Sequence, residues 1–223
     1  MSDLKYTCIL FDLDGTVLDT VSDCAAAINK TLSSFSLPGH TNAEVQSYLN
    51  NGARMLIRRA LPPEKQNDEE LIDRVLAEYI KNYSLCCTQS SRIYNGVHET
   101  LQKLRDMGVS MGIVTNKPDV QTQIMVPHYF GDLFGYKCGN SKEYPVKPDA
   151  ARVFMALDAL GKKAEDAFFV GDSNVDVQTA RNAGIPAVGV AWGFGGRECF
   201  GNNTPDTIIE KAHELLNLVQ HGF

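Results

Sequence analysis

Short, continuously apolar runs alternate with segments of helical spacing along most of the chain. Residues 7–11, 109–114, 167–170 and 187–190 are such runs, rich in β-branched and aromatic side chains and flanked by Gly, Asp or Asn. Strands that are apolar on both faces and separated by helices predict a parallel sheet buried on both sides. Residues 98–107 carry Leu101 and Leu104 at helical spacing and stop at Gly108. Residues 150–160 carry Val153, Phe154, Leu157 and Leu160 and stop at Gly161. Both read as helices with a C-terminal glycine.

The rhythm breaks between about residues 20 and 85, where no strand-like run occurs. Thr20 with Asp23, Thr41 with Glu44 and Asn67 with Glu70 have the spacing of helix-start boxes. Leu71, Ile72, Val75, Leu76, Tyr79, Ile80 and Tyr83 form one amphipathic stripe. Pro62-Pro63 separates two of these helices. The pattern predicts an all-helical insert directly after the first strand, with the α/β alternation resuming near Arg92.

Composition narrows the function classes. The chain has 223 residues, 43% hydrophobic, and a formal net charge of −6. That length suits one α/β domain with a smaller insert. Without a dense Lys/Arg stripe, nucleic acid is not an expected partner. No apolar run reaches the ~20 residues of a membrane span, and the short apolar stretch before Asp12 does not resemble a secretory signal. The expectation is a cytoplasmic protein. Six cysteines at irregular spacing, without a C-x-x-C pair, read as reduced and mostly buried thiols.

Candidate chemistry sits at the strand ends. Asp12-Leu13-Asp14-Gly15-Thr16 follows the first strand, where parallel sheets bind ligands. Two carboxylates two residues apart project to one side. They repel unless one holds a proton or a cation lies between them, and magnesium with a phosphate ligand resolves that conflict. Gly15 permits a sharp turn. Thr115-Asn116-Lys117 ends the 109–114 strand and offers a hydroxyl and an amide to a phosphate oxygen; a helix cap would use the same residues. Lys147-Pro148 offers a compact positive charge, although such a pair is commonly a solvated loop. Gly171-Asp172-Ser173-Asn174-Val175-Asp176 adds two more carboxylates past a strand end, an oxygen-rich set suited to Mg²⁺.

These four segments, in this order, resemble the haloacid dehalogenase-like superfamily, and within it the phosphoglycolate phosphatase-like group. The likeness spans essentially the whole chain and is most specific over residues 170–196, through Thr179-Ala180-Arg181-Asn182-Ala183-Gly184 and Trp192-Gly193. The resemblance implies a doubly wound, Rossmann-like α/β core over residues 1–18 and 86–223. A helical C1-type cap would occupy residues 19–85. It implies a Mg²⁺-dependent phosphomonoesterase, with Asp12 as nucleophile and Asp14 as acid/base. Thr115 and Lys147 would hold the phosphoryl group, with Asn116 as an auxiliary. Asp12, the Asp14 carbonyl and Asp172 would bind the metal, and Asp176 would support that site or orient Lys147. The loop Asn51-Gly52-Ala53-Arg54 is the expected cap contact, with Gly52 in the turn and Arg54 meeting a substrate anion; the alternative is that Arg54, Arg58 and Arg59 form a solvated basic face. Arg197 is a second, weaker anion contact.

The expected partner is a small phosphate ester, with 2-phosphoglycolate first among the choices. Phosphomutase, pyrophosphatase and nucleotidase activities of the same superfamily stay open, as does oligomeric state. Carbon–halogen displacement would leave Asp14 without a task. A signalling receiver would lack the helical insert, and a silent scaffold would not fill every catalytic position. Two positions depart from the family pattern, Asp149-Ala150 after Lys147-Pro148 and Tyr94-Asn95-Gly96 at the end of the insert. Both bear on substrate identity rather than on the chemistry.

Overall fold

The computed structural model describes residues 4–223. Six parallel strands form the main sheet: β1 (Cys8–Phe11), β4 (Ser110–Pro118), β5 (Tyr136–Asn140), β6 (Ala167–Gly171), β7 (Ala187–Val190) and β8 (Thr207–Ile209). Their spatial order is β5-β4-β1-β6-β7-β8. Strand β1 pairs with β4 on one side and β6 on the other, and all four of its residues are buried. That is why Cys8-Ile9-Leu10-Phe11 is uniformly apolar. The chain runs outward from β1 through β4 to β5, then returns to lay β6, β7 and β8 on the opposite side. Strand order therefore reverses at β1, the position where doubly wound sheets bind ligands.

The four apolar runs of the sequence form β1, β4, β6 and β7. Strands β5 and β8 escaped the pattern for a physical reason. They are the two sheet edges; β5 reads Tyr-Lys-Cys-Gly-Asn and β8 has three residues. Edge strands are commonly short or polar, which blunts further pairing. Helices α5 (Val97–Asp106), α6 (Asp119–Phe130), α7 (Ala151–Ala159), α8 (Asn174–Ala183) and α9 (Leu215–His221) complete the layers. Their apolar faces join two buried clusters, one containing Ile9 and Phe11 and the other Cys8 and Leu10. Alternate residues of β1 thus feed opposite faces of the sheet.

The insert is helical, with α1 (Val21–Ser34), α2 (Asn42–Tyr48), α3 (Gly52–Ala60) and α4 (Glu69–Ser84). It does not leave the core directly. A two-stranded antiparallel ribbon, β2 (Leu18–Asp19) with β3 (Arg92–Ile93), forms its base. Two residues per strand are too few to leave a periodic signal. Of the three expected helix-start boxes, Thr41/Glu44 forms as a reciprocal capping box. At α4 the cap is Asp68, which accepts from the Leu71 N–H at 2.9 Å. Thr20 makes no cap bond, because its hydroxyl is committed elsewhere, as described below.

Asp23 also has a different task. It is buried in α1 and accepts the Ser90 N–H at 2.8 Å, the Ser91 N–H at 2.8 Å and the Ser91 hydroxyl at 2.7 Å. One carboxylate thereby satisfies the backbone where the insert rejoins the core. All six cysteines are free, and among the described residues no helix is long and apolar enough to cross a membrane.

Removing the Asp23 carboxylate would strand two backbone donors. Asp23→Ala is expected to cost about 3 kcal/mol of stability. Thr41→Ala, at an exposed cap, should cost about 1 kcal/mol. Urea denaturation of both variants checks the order.

Candidate active site

Four segments converge at the carboxyl ends of β1, β4 and β6. Asp12 leaves β1, and its backbone N–H is fixed to the Val170 carbonyl at 2.9 Å. Asp172 follows β6, and Asp176 lies in the first turn of α8. Oxygens of Asp12, Asp172 and Asp176 lie within 4.8 Å of one another. Glycines make this crowding possible. A Cβ at Gly15 or Gly193 would collide with the Asp172 carboxylate, and one at Gly171 would collide with that of Asp176. Gly15 also has φ +79°, a left-handed turn natural to glycine.

One cation balances part of this charge. The Lys147 ammonium donates to Asp176 Oδ1 at 2.6 Å and lies 2.9 Å from Asp12 Oδ1. The second contact has ion-pair distance without hydrogen-bond alignment, and Asp12 Oδ1 is a buried acceptor with no donor. Burial works against the ammonium, but Asp12 and Asp176 more than offset it and raise its pKa. The second oxygen of Asp176 accepts from the Ser173 N–H at 3.0 Å and the Ser173 hydroxyl at 2.6 Å. Asp172 Oδ2 accepts the Phe194 N–H at 3.0 Å, whereas its Oδ1 is buried with no donor. Burial first, then the charges of Asp176 and Asp12, push the Asp172 carboxyl well above the usual range. Asp176 moves the same way, with burial opposed mainly by Lys147.

Two buried carboxylate oxygens without an aligned donor, in residues whose carboxylates come within 4.8 Å of each other, fit a hard divalent cation. Buried acceptors are ordinarily hydrogen-bonded, and a cation satisfies both at once while cancelling the repulsion. Asp12 and Asp172 are the residues that would hold it.

Asp14 stands apart from this trio. Its carboxylate accepts the Thr20 hydroxyl at 2.8 Å and the Lys117 ammonium at 2.9 and 3.0 Å. Lys117 also donates to the Tyr83 hydroxyl of α4 at 2.7 Å. Sequence reasoning placed Lys117 in a motif without assigning it a partner, and read Thr20 as a helix cap. The pattern carries no signal for either bond, since one joins the ends of two strands far apart in the chain and the other depends on the turn between Asp14 and Thr20.

The Thr115-Asn116-Lys117 segment lies inside β4, at an irregularity. Pairing with β5 jumps from Val114↔Cys138 to Pro118↔Asn140, so these three residues are released from the regular ladder and re-aimed. Asn116 ties this bulge to the Lys147 loop: its Nδ2 donates to the Lys147 carbonyl at 3.0 Å and its Oδ1 accepts the Lys147 N–H at 2.8 Å. Arg152, fully buried in α7, locks both segments. It donates to the Thr115 carbonyl at 2.7 Å, Asn116 Oδ1 at 2.7 Å and the Pro145 carbonyl at 3.0 Å. A buried arginine in a helix was invisible to the sequence reading.

These groups line one cavity. Its walls include Asp12, Asp14, Thr115, Asn116, Lys117, Lys147 and Asp176 from the core side, and Asn50, Gly52, Ala53 and Tyr83 from the insert. Arg54 is not among them. It is paired with Asp73 and, at 2.6 Å, with Glu69 on the outer face of the insert. Arg197 is paired with Glu210. The structure thus brings Gly52 to the cavity and keeps both arginines away from it.

The strand ends thus gather four carboxylates and two lysines over a parallel sheet. The profile of the haloacid dehalogenase-like hydrolases matches residues 9–190. Phosphoglycolate phosphatase 1 of Pseudomonas aeruginosa is 33% identical over 212 residues, covering 93% of this chain and 78% of its own. The phosphoglycolate phosphatase of Mannheimia succiniciproducens is 32% identical over 221 residues, covering 96% and 99%. The crystal structure of a predicted phosphoglycolate phosphatase from Haemophilus somnus superimposes with TM-score 0.86 at 28% identity, over 97% of this chain and 99% of that one. A haloacid dehalogenase-like family hydrolase from Streptococcus pneumoniae shares the fold with TM-score 0.82 at 24% identity, over 96% and 98%. The chain belongs to the haloacid dehalogenase-like hydrolases. It is a phosphatase of that family, similar over nearly its whole length to enzymes named phosphoglycolate phosphatase.

The raised Asp172 carboxyl has a consequence for stability. Between the unfolded carboxylate pKa, about 3.9, and the raised folded value, the folded state binds more protons than the unfolded one. Stability of the metal-free protein therefore falls as pH rises through that window. A divalent cation favours the ionised form, so Mg²⁺ should raise Tm by an increment that grows with pH. Asp172→Asn should raise Tm in EDTA and lose the Mg²⁺ increment. Thermal melts from pH 5 to 8, with EDTA or MgCl₂, check both.

Proposed function

We propose that this phosphatase is a Mg²⁺-dependent hydrolase of small phosphomonoesters that works through an aspartyl-phosphate on Asp12, with 2-phosphoglycolate as its substrate. The observation that carries the reading is the Asp12–Lys147–Asp176 arrangement, with Asp172 within ion-coordinating reach and Asp14 held separately. The near-complete alignment with phosphoglycolate phosphatases supports the choice of substrate.

Asp12, Asp172 and the Asp14 backbone carbonyl would hold Mg²⁺, with Asp176 in support. The ion supplies positive charge beside the nucleophile and the phosphoryl oxygens. Asp12 attacks phosphorus, and the bond from phosphorus to the ester oxygen breaks. Asp14 gives that oxygen its proton. Water then attacks the phosphoryl group on Asp12, Asp14 takes a proton from it, and orthophosphate leaves. Splitting the displacement gives two in-line steps with a positioned nucleophile each time. Lys147 and the Thr115 hydroxyl take the equatorial oxygens, and Asn116 keeps their two loops in register.

Residues 19–85 act in this reading as a cap over the core of residues 1–18 and 86–223. The Gly52 turn lies against the Thr115–Asn116 bulge, with the position of a Gly52 Cβ 3.5 Å from the Asn116 carbonyl. It covers the phosphoryl side and excludes water until the intermediate forms. Arg54 is left out, since Glu69 and Asp73 already neutralise it.

Asp12→Asn keeps the shape and removes the nucleophile. It should lower kcat for 2-phosphoglycolate by about 10⁴-fold or more, and chelation of Mg²⁺ should silence the unmodified enzyme. Phosphate release over a panel of phosphometabolites measures both. Turnover retained by Asp12→Asn, or no ester hydrolysed by the unmodified enzyme, overturns the assignment.

A further inference from the structure

We propose that Lys117 is the specificity residue of this site, binding a carboxylate on the leaving-group side of the substrate and so selecting phosphate esters of short 2-hydroxy acids over esters of neutral alcohols. The inference rests on the phosphatase reading above and on the role of Asp14 within it.

Three observations lead to it. The first is position. The Lys117 ammonium is 2.9 and 3.0 Å from the two oxygens of Asp14. An ester oxygen within hydrogen-bond reach of Asp14 is separated from the carboxylate carbon of a 2-hydroxy acid by only two bonds. The acid's carboxylate then falls beside the ammonium that already pairs with Asp14. A neutral alcohol places nothing charged there.

The second is the charge available. Lys117 and Lys147 are the only cations among the described residues that line the cavity. Lys147 is engaged between Asp12 and Asp176 and serves the phosphoryl end. Arg54, Arg58 and Arg59 of the insert are bound to Glu69, Asp73 and backbone carbonyls elsewhere. Lys117 is paired as well, with Asp14 and Tyr83, but it is the cavity cation on the Asp14 side, so an anionic group carried by the leaving group meets Lys117.

The third is the burial of the ammonium and the way it is aimed. Lys117 is 5% exposed, so an ion pair formed there is little screened. Burial disfavours its charge, yet Asp14 more than offsets this and the pKa is raised. The Tyr83 hydroxyl holds the ammonium at 2.7 Å, and the ring of Tyr83 lies 4.5 Å from it. Tyr83 belongs to α4, so the insert orients a core lysine toward the leaving group. Asp14 and Tyr83 already pair this ammonium, so a substrate carboxylate brings a second anion to a little-screened cation, and a neutral alcohol forgoes that contact.

The test compares 2-phosphoglycolate with ethyl phosphate, which lacks the carboxylate. The unmodified enzyme should prefer 2-phosphoglycolate in kcat/KM by about 100-fold. In Lys117→Met that ratio should fall about tenfold or more, whatever happens to the absolute rates, and Lys117→Arg should restore part of it. A ratio unchanged in Lys117→Met overturns the proposal, as does an unmodified enzyme that hydrolyses both esters equally well. That last result leaves the phosphatase reading standing, whereas hydrolysis of neither ester removes both the proposal and 2-phosphoglycolate as the substrate. Inhibition of the unmodified enzyme gives a measurement free of any folding defect in the variants. 3-Phosphonopropionate should inhibit about tenfold more tightly than propylphosphonate, and equal inhibition overturns the proposal.

Discussion

Asp12, Asp172 and Asp176 are packed at 4.8 Å or less in a buried space, and only one lysine answers them directly. Like charges so placed repel strongly where solvent cannot screen them. Much of the surrounding structure makes sense as a response to that repulsion. Lys147 is aimed at Asp176 and stands beside Asp12. Ser173 and the Phe194 N–H take one oxygen each of the other two carboxylates. Glycines at 15, 171 and 193 remove the side chains that would keep the carboxylates apart. Asp172 Oδ1 keeps no donor, and Asp12 Oδ1 has only the unaligned Lys147 ammonium at 2.9 Å. Buried carboxylate oxygens left without an aligned donor at such a cluster mark a place suited to an added cation.

The sheet explains why this charge cluster can exist at all. β1 is flanked by β4 and β6, so the residues just beyond it are enclosed by two further strand ends. Its apolar residues supply burial on both faces and hold Asp12 rigidly. The β4 irregularity then turns Thr115, Asn116 and Lys117 out of the ladder, and Arg152 fastens the bulge to the Lys147 loop. Placement of Thr115, Asn116 and the Lys147 loop thus rests on two backbone carbonyls and one amide oxygen gripped by one buried guanidinium. That grip has directional bonds at each end, which fits arginine and would not fit lysine.

Legibility from sequence followed the range of the interactions. Buried central strands leave a local apolar run, so β1, β4, β6 and β7 were readable, as was the helical character of residues 20–85. The strand-end Asp, Thr and Lys motifs were readable because each is contiguous. Edge strands β5 and β8 and the β2–β3 ribbon were not, since polarity or brevity erases the pattern. Thr20, Asp23 and Arg152 were misread or missed because their partners lie far along the chain or depend on chain direction. Arg54 admitted two readings, an anion contact and a solvated basic face; its exposed pairing with Glu69 and Asp73, one turn apart on α4, agrees with the second.

The two lysines of the cavity face different carboxylates. Lys147 lies between Asp12 and Asp176, and Lys117 faces Asp14, which stands apart. The first belongs wholly to the core, bound by the Asn116 and Asp176 side chains. The second is shared, because Tyr83 of the insert completes its seat and Thr20 at the insert's base completes that of Asp14. Change in the insert can therefore alter the surroundings of Lys117 and Asp14 without disturbing those of Lys147, which under the proposed reading separates the leaving-group side from the phosphoryl side. A fold that separates the two in this way keeps one reaction while its substrate varies, which is the pattern expected when function is set by sites carried on a common scaffold.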